Sequence, residues 1–149
     1  MKTIQIIIIS LTICSCSEKR YSLSGIKLSS GQVFTTYNIS YSLGQDSILI
    51  DKSKLTLDSI FNFLNSHPDL KVELGAHTDF RGTDEKNLIL SQYRADRLKE
   101  YFISRKIKPE RLVAKGFGET MPLRSKNEQD DLGANAKNVN RRITIKILE

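Results

Sequence analysis

The chain has 149 residues, of which 39% are hydrophobic and 27% charged, with a formal net charge of +6 and two cysteines. That leaves room for one modest domain of about 110 to 130 residues around a single core. The basic residues are scattered rather than clustered, which argues against a nucleic-acid partner.

Met1 to Cys16 reads as a targeting segment. Lys2 gives a short positive start, and Ile4 to Ile13 is almost wholly apolar but too short to span a bilayer. Its end, Ile13-Cys14-Ser15-Cys16, resembles a bacterial lipobox, with small Ser15 before the cysteine that becomes the acylated first residue. Cys16 is the expected lipidation site, because Cys14 would set bulky Ile13 at the cleavage position. Cleavage at that point removes residues 1–15, with one lysine and no acid, so the charge falls from +6 to +5. Cys14 leaves with the signal and Cys16 is consumed as a thioether, so no disulfide is expected despite an oxidising compartment. In an exported chain the mild positive excess suits a surface facing anionic envelope polymers or lipid head groups.

Residues 16–32 are polar and aperiodic and read as a lipidated N-terminus with a tether. The domain is expected over residues 33–149. Val33 to Leu43 mixes β-branched and aromatic residues and holds the first strand, ending before Gly44-Gln45-Asp46. Leu57, Ile60, Phe61 and Leu64 follow the spacing of an amphipathic helix that stops before Pro68. Val72, Leu74 and Ala76 alternate with Lys71, Glu73 and Gly75 as a strand with one buried face. A second helix follows Gly82, with Leu88, Ala95, Leu98 and Phe102 as its core stripe, and ends near Pro109. Leu112 to Lys115 reads as a short strand stopped by Gly116-Phe117-Gly118, residues 119–140 as a long irregular excursion, and Ile143, Ile145 and Ile147 as a final strand. The order β-α-β-α-β-β predicts an α/β (α+β) two-layer sandwich, a mixed sheet covered by helices on one face.

One constellation carries chemistry. Asp79 lies just past the end of its strand, where ligands collect in α/β sheets. Asn87, Leu90, Ser91 and Arg94 fall at i, i+3, i+4 and i+7 on the following helix, a face expected beside the core stripe rather than within it. A loop of this length can bring Asp79 near the first two helical turns. Spacing alone leaves two readings open: an ordinary Asp-Arg salt bridge, or a small cleft in which Asp79 takes an ammonium and Arg94 forks onto a carboxylate.

The run Val72 to Gly82, with Asn87 to Ser91, Arg94-Ala95, Arg111-Leu112, Gly116 to Glu119, Pro122 and Asn140 to Ile143, resembles the OmpA-like C-terminal domain. That family includes the peptidoglycan-associated lipoprotein and the periplasmic part of the flagellar stator protein MotB. The resemblance covers roughly Asn38 to Leu148. It implies that Asp79 and Arg94 hold the free amino-acid end of diaminopimelate in the peptidoglycan stem peptide, and that Arg81, Asn87 and Leu90 line the same pocket. Many members carry a Phe-Asp-Phe-like run at the end of the first strand, where this chain has Ser40-Tyr41-Ser42-Leu43-Gly44.

Other chemistries fit less well. His77 and Asp79 stand two apart, but His67 is the only other histidine, so a closed metal site lacks ligands; His77 is expected to shape the loop through a hydrogen bond. Ser91 has no histidine partner in the motif and no Gly-x-Ser-x-Gly occurs, so no enzyme activity and no cofactor are expected. Of Arg141 and Arg142, one is expected at the cleft rim and the other in solvent. The expected protein is an outer-membrane lipoprotein with its domain in the periplasm, anchored by lipid and binding peptidoglycan without catalysis. The alternative is an accessory subunit of a larger envelope complex, with a protein partner on residues 119–140.

Overall fold

Ile143, Ile145 and Ile147, separated by Thr144 and Lys146, present one apolar face, and the sheet assembles around the strand they form. A computed structural model of the chain describes residues 28–42, 47–127 and 139–148. It contains β1 (Val33–Thr36), α1 (Ile50–Ser66), β2 (Val72–His77), α2 (Asp84–Ser104), a 3-10 turn (Pro109–Arg111), β3 (Leu112–Gly118) and β4 (Ile143–Ile147). The sheet order is β1-β4-β2-β3; β4 runs antiparallel to β1 and β2, while β2 and β3 are parallel. This is the mixed α+β sandwich that the sequence predicts.

Register explains the two faces. Leu74 pairs with Ile145 and Ala76 with Ile143, and Phe34 meets Ile145 from the other side. These side chains form one core with Leu57, Ile60, Phe63 and Leu64 of α1 and Ala95, Leu98 and Phe102 of α2. The opposite face carries Phe117, whose ring lies across Gly75: a Cβ there would fall 2.9 Å from the ring and 2.3 Å from Thr144 Oγ1.

Both helices have ends tied down by groups far away or in unusual backbone. Arg111 is buried and donates to three carbonyls at and beyond the end of α1: Nη2 to Leu64 O (2.8 Å) and His67 O (2.7 Å), and Nε to Leu70 O (2.9 Å). A cation thus meets the negative end of the helix dipole and satisfies its orphan acceptors. Thr83 caps the start of α2, accepting from Lys86 N at 3.3 Å. At its end, Lys106 N donates to Ile103 O and Ile107 N to Phe102 O, a Schellman closure with Lys106 at φ 74°.

The elements depart from the sequence pattern in identifiable places. The first strand is Val33–Thr36 and not the longer run to Leu43; beyond it Tyr41 and Ile48 form an isolated bridge. Leu43 and Gly44 to Asp46 lie outside the described residues. Residues 31 and 32, assigned by composition to the tether, hydrogen-bond along β4: Gly31 N to Ile147 O and Ile147 N to Gln32 O. Phe61 is half-buried, with Arg105 4.0 Å above its ring, and Phe63 takes the core position. Leu88 is 49% exposed, and Asn87 and Ser91, expected beside the α2 stripe, are buried within it. The third strand runs on through Gly116-Phe117-Gly118. The predicted lipidation site Cys16, the targeting segment and most of the tether lie outside the described residues, as does most of the excursion after Asn127.

Candidate functional site

The close approach of α2 to β3 sets where the polar side chains of α2 meet the sheet. A Cβ on Gly116 would stand 2.2 Å from the backbone nitrogen of Gln92, so only glycine lets the helix lie this near. Small polar side chains of α2 then reach the strand: Ser91 Oγ accepts from Gly118 N (2.7 Å) and Gln92 Oε1 from Gly116 N (2.8 Å). Ser91 is thereby a structural residue that satisfies the free edge of β3.

Asp79 follows β2 by two residues and is buried, 4% exposed. Its loop is fixed on every side. Thr78 N donates to Gly118 O, Asn87 Nδ2 donates to Asp79 O (3.2 Å) and to the Glu119 carboxylate, and Arg81 N closes a turn onto Asp79 Oδ1 (3.2 Å). The other carboxylate oxygen, Oδ2, receives Arg141 Nε (2.8 Å) and Nη2 (2.7 Å). Arg141 is therefore the resident cation of Asp79. It is the rim arginine of the Arg141-Arg142 pair.

Arg142 is not in solvent, as the sequence reading had it. It is buried, and Nη2 donates to Met121 O at 2.8 Å. The reason is a neighbouring knot: fully buried Asn140 accepts from Leu123 N and Arg124 N through Oδ1 and donates to Arg124 O. That knot draws residues 121–124 onto the head of β4, and their carbonyls need donors.

Arg94 lies across from this group. Its guanidinium carbon stands 5.0 Å from the centre of the Tyr41 ring, and the Tyr41 hydroxyl donates to Arg94 O at 3.3 Å. Burial lowers the pKa of Arg94; Tyr41 opposes that shift, Arg141 adds to it by like charge, and Asp79 opposes it. Burial raises the pKa of Tyr41, so the phenol stays neutral. Between these groups opens a cavity of about 600 Å³, lined by residues 36–42, His77, Arg94, Arg141, Arg142 and Ile143. Among the described residues no acid lines it. Ser40, on its wall, is held by N–H donation to Ser53 Oγ of α1 at 2.9 Å.

The predicted site residues divide accordingly. Arg94 lines the cavity, and Asp79 stands behind Arg141. Arg81 is exposed and meets Asp79 through its backbone; Asn87 is buried beneath the Asp79 loop; Leu90 is half-buried; none of the three lines the cavity. Tyr41 and the cavity wall that follows β1 were not singled out by sequence. The aromatic residue inside the departing run Ser40-Tyr41-Ser42 was the available signal.

His77 does hydrogen-bond, Nε2 to Thr144 Oγ1 at 3.3 Å, and it stacks on Phe117 with ring centres 4.9 Å apart. Burial, reinforced by Arg142, pushes its pKa down to about 3, so the ring is neutral at physiological pH. Among the described residues no cluster of three or more His, Cys, Asp or Glu side chains is placed to hold a metal ion, and no helix is long and apolar enough to cross a membrane.

Residues 44–138 match the family model described as the OmpA family. The chain belongs to the OmpA family. Among relatives within and around this family, it is 33% identical over 97 residues to outer membrane porin F of Pseudomonas fluorescens, covering 65% of this chain and 28% of the porin. It is 30% identical over 83 residues to the peptidoglycan-associated lipoprotein of Buchnera aphidicola, covering 56% of this chain and 48% of that protein. The chain thus spans less than half the length of either relative. The crystal structure of the peptidoglycan-associated lipoprotein from Burkholderia pseudomallei superposes with a TM-score of 0.61 at 23% identity, covering 73% of this chain and 87% of that one. That likeness extends the OmpA-family assignment to the fold.

Proposed function

We propose that this OmpA-family domain binds peptidoglycan non-covalently by taking the free amino-acid end of diaminopimelate into the cavity between Arg94 and the Asp79 loop. The observation that carries the reading is a cation on the cavity wall with a carboxylate behind the rim: Arg94 lines the cavity against the Tyr41 ring, and buried Asp79, just past β2, is reached through the rim residue Arg141 that its Oδ2 holds. A carbon bearing both an ammonium and a carboxylate suits such a pair. Arg94 forks onto the carboxylate and Asp79 takes the ammonium. Neither partner needs activation, so the domain binds and does not catalyse. Asn87 and the Arg81 backbone act by fixing the Asp79 loop.

In the same proposal, lipid on Cys16 holds the protein in the outer membrane with the domain facing the periplasm, so that wall binding ties the two layers together. More than one acyl chain is needed for durable anchoring. The test is co-sedimentation with isolated sacculi, together with membrane flotation. Wild type pellets with sacculi, Asp79→Ala and Arg94→Ala lose about ten- to a hundredfold in affinity, and Cys16→Ser no longer floats with membranes. Equal sedimentation by wild type and both domain variants overturns the site. Flotation of Cys16→Ser like wild type overturns the anchor.

A further inference from the structure

Asp79 already holds a cation where the ligand's ammonium is proposed to sit. Arg141 places both Nε and Nη2 on the same oxygen of Asp79, at 2.8 and 2.7 Å, while the other oxygen accepts from Arg81 N. Arg141 lines the cavity and Asp79 does not, so the guanidinium stands between the carboxylate and the space a ligand would enter. The cavity also carries much positive charge: Arg94, Arg141 and Arg142 line it, and among the described residues no acid does. An ammonium added beside them, with Arg141 in place, would be a further cation around one buried carboxylate.

We infer that Arg141 is an internal competitor for Asp79: binding an amino-acid ligand exchanges its guanidinium for the ligand's ammonium, and Arg141 sets the affinity of the site by how readily it leaves. Two features make the exchange cheap. The Arg141 side chain is 42% exposed against 6% for Asp79, so the released guanidinium passes into water while the carboxylate remains paired. The Asp79 loop is held through its backbone by Asn87 and Gly118, independently of Arg141, so the carboxylate keeps its position during the exchange. The consequence is selectivity. A simple carboxylate can pair with Arg94 but cannot displace Arg141, whereas a ligand carrying an ammonium next to its carboxylate does both.

This inference rests on the proposed diaminopimelate site, and the two fail differently. The probe is a stem peptide with a free diaminopimelate amine, titrated calorimetrically alongside the same peptide with that amine acetylated. Targets are wild type, Asp79→Ala, Arg141→Ala, Arg141→Gln and the Asp79→Ala/Arg141→Ala double variant, each checked for a cooperative thermal melt. Competition predicts that both Arg141 variants bind the free-amine peptide about three- to thirtyfold tighter than wild type. The gain disappears with the acetylated peptide and in the double variant. If Asp79→Ala loses binding but the folded Arg141 variants bind no better than wild type, Arg141 is a ligand contact or a bystander and the inference is wrong. If Asp79→Ala binds as wild type does, the diaminopimelate site itself is wrong and the inference falls with it. Arg141→Gln, which keeps hydrogen-bonding capacity without charge, covers the case in which Arg141→Ala fails to fold.

Discussion

Helix α2 has two flanks that treat side chains oppositely. Toward β3 it lies so close that Gly116 has no room for a Cβ, and Ser91 and Gln92 hydrogen-bond the strand directly. Toward residues 36–42 the same helix stands back from a cavity of about 600 Å³, and Arg94 spans the gap to Tyr41. Polar residues a turn apart on one helix therefore do different work: Ser91 completes the sheet, and Arg94 lines the cavity. A polar side chain near a pocket is informative only when its partners are known. The closed flank should govern stability and the open flank binding.

That division is broken most severely at Gly116. Gly116→Val pushes a branched side chain into the Gln92 backbone and should cost about 3 kcal/mol or more, read from urea melts. A loss below about 1 kcal/mol would mean the helix can retreat from β3 without penalty. Next comes Arg111→Met, which keeps the apolar stem but strips three carbonyls of their donor; a loss of about 2 to 3 kcal/mol is expected in the same melts. Retained stability there would show that water replaces the guanidinium at the end of α1.

His77, stacked on Phe117, gives a pH signature. Its folded pKa of about 3 lies below the ordinary value of 6.5, so the unfolded chain binds the extra proton first and stability falls as pH drops below 6.5. Between pH 7 and pH 5 this one group removes about 2 kcal/mol. His77→Gln should flatten the curve over that interval by the same amount, and an unchanged slope would locate the acid sensitivity elsewhere. The smallest effect belongs to the open flank. Asp79→Ala should cost only about 1 kcal/mol, because Arg141 is exposed enough to be rehydrated. A thermal melt as damaged as that of Gly116→Val would move Asp79 from the binding machinery to the scaffold.

The sequence made β2 and β4 and their core faces legible because their causes are local. The isoleucines of β4 and the Val72-Leu74-Ala76 alternation are buried as their period requires. The α2 stripe misled at Leu88, which is exposed, because the helix is rotated so that Asn87 and Ser91 face β3. That rotation is set by Gly116 and Gly118, more than twenty residues away in sequence, and helical periodicity carries no trace of it. Asp79 and Arg94 were visible as a pair. Arg141 as the actual partner of Asp79 was not, because β4 returns to the centre of the sheet only after the long excursion. Arg142 and Arg111 look like surface arginines and are buried for one reason: each serves backbone carbonyls that distant segments leave unpaired.

The central claim, that the open flank binds a zwitterion through two opposite charges, is tested most directly by calorimetric titration of a free-diaminopimelate stem peptide against wild type, Arg94→Ala and Arg94→Lys. The predicted result is a ten- to hundredfold loss for Arg94→Ala, about the weight of one charge-assisted contact, with no rescue by lysine, whose point charge lacks the fork of guanidinium. Equal affinity in all three proteins would contradict the account.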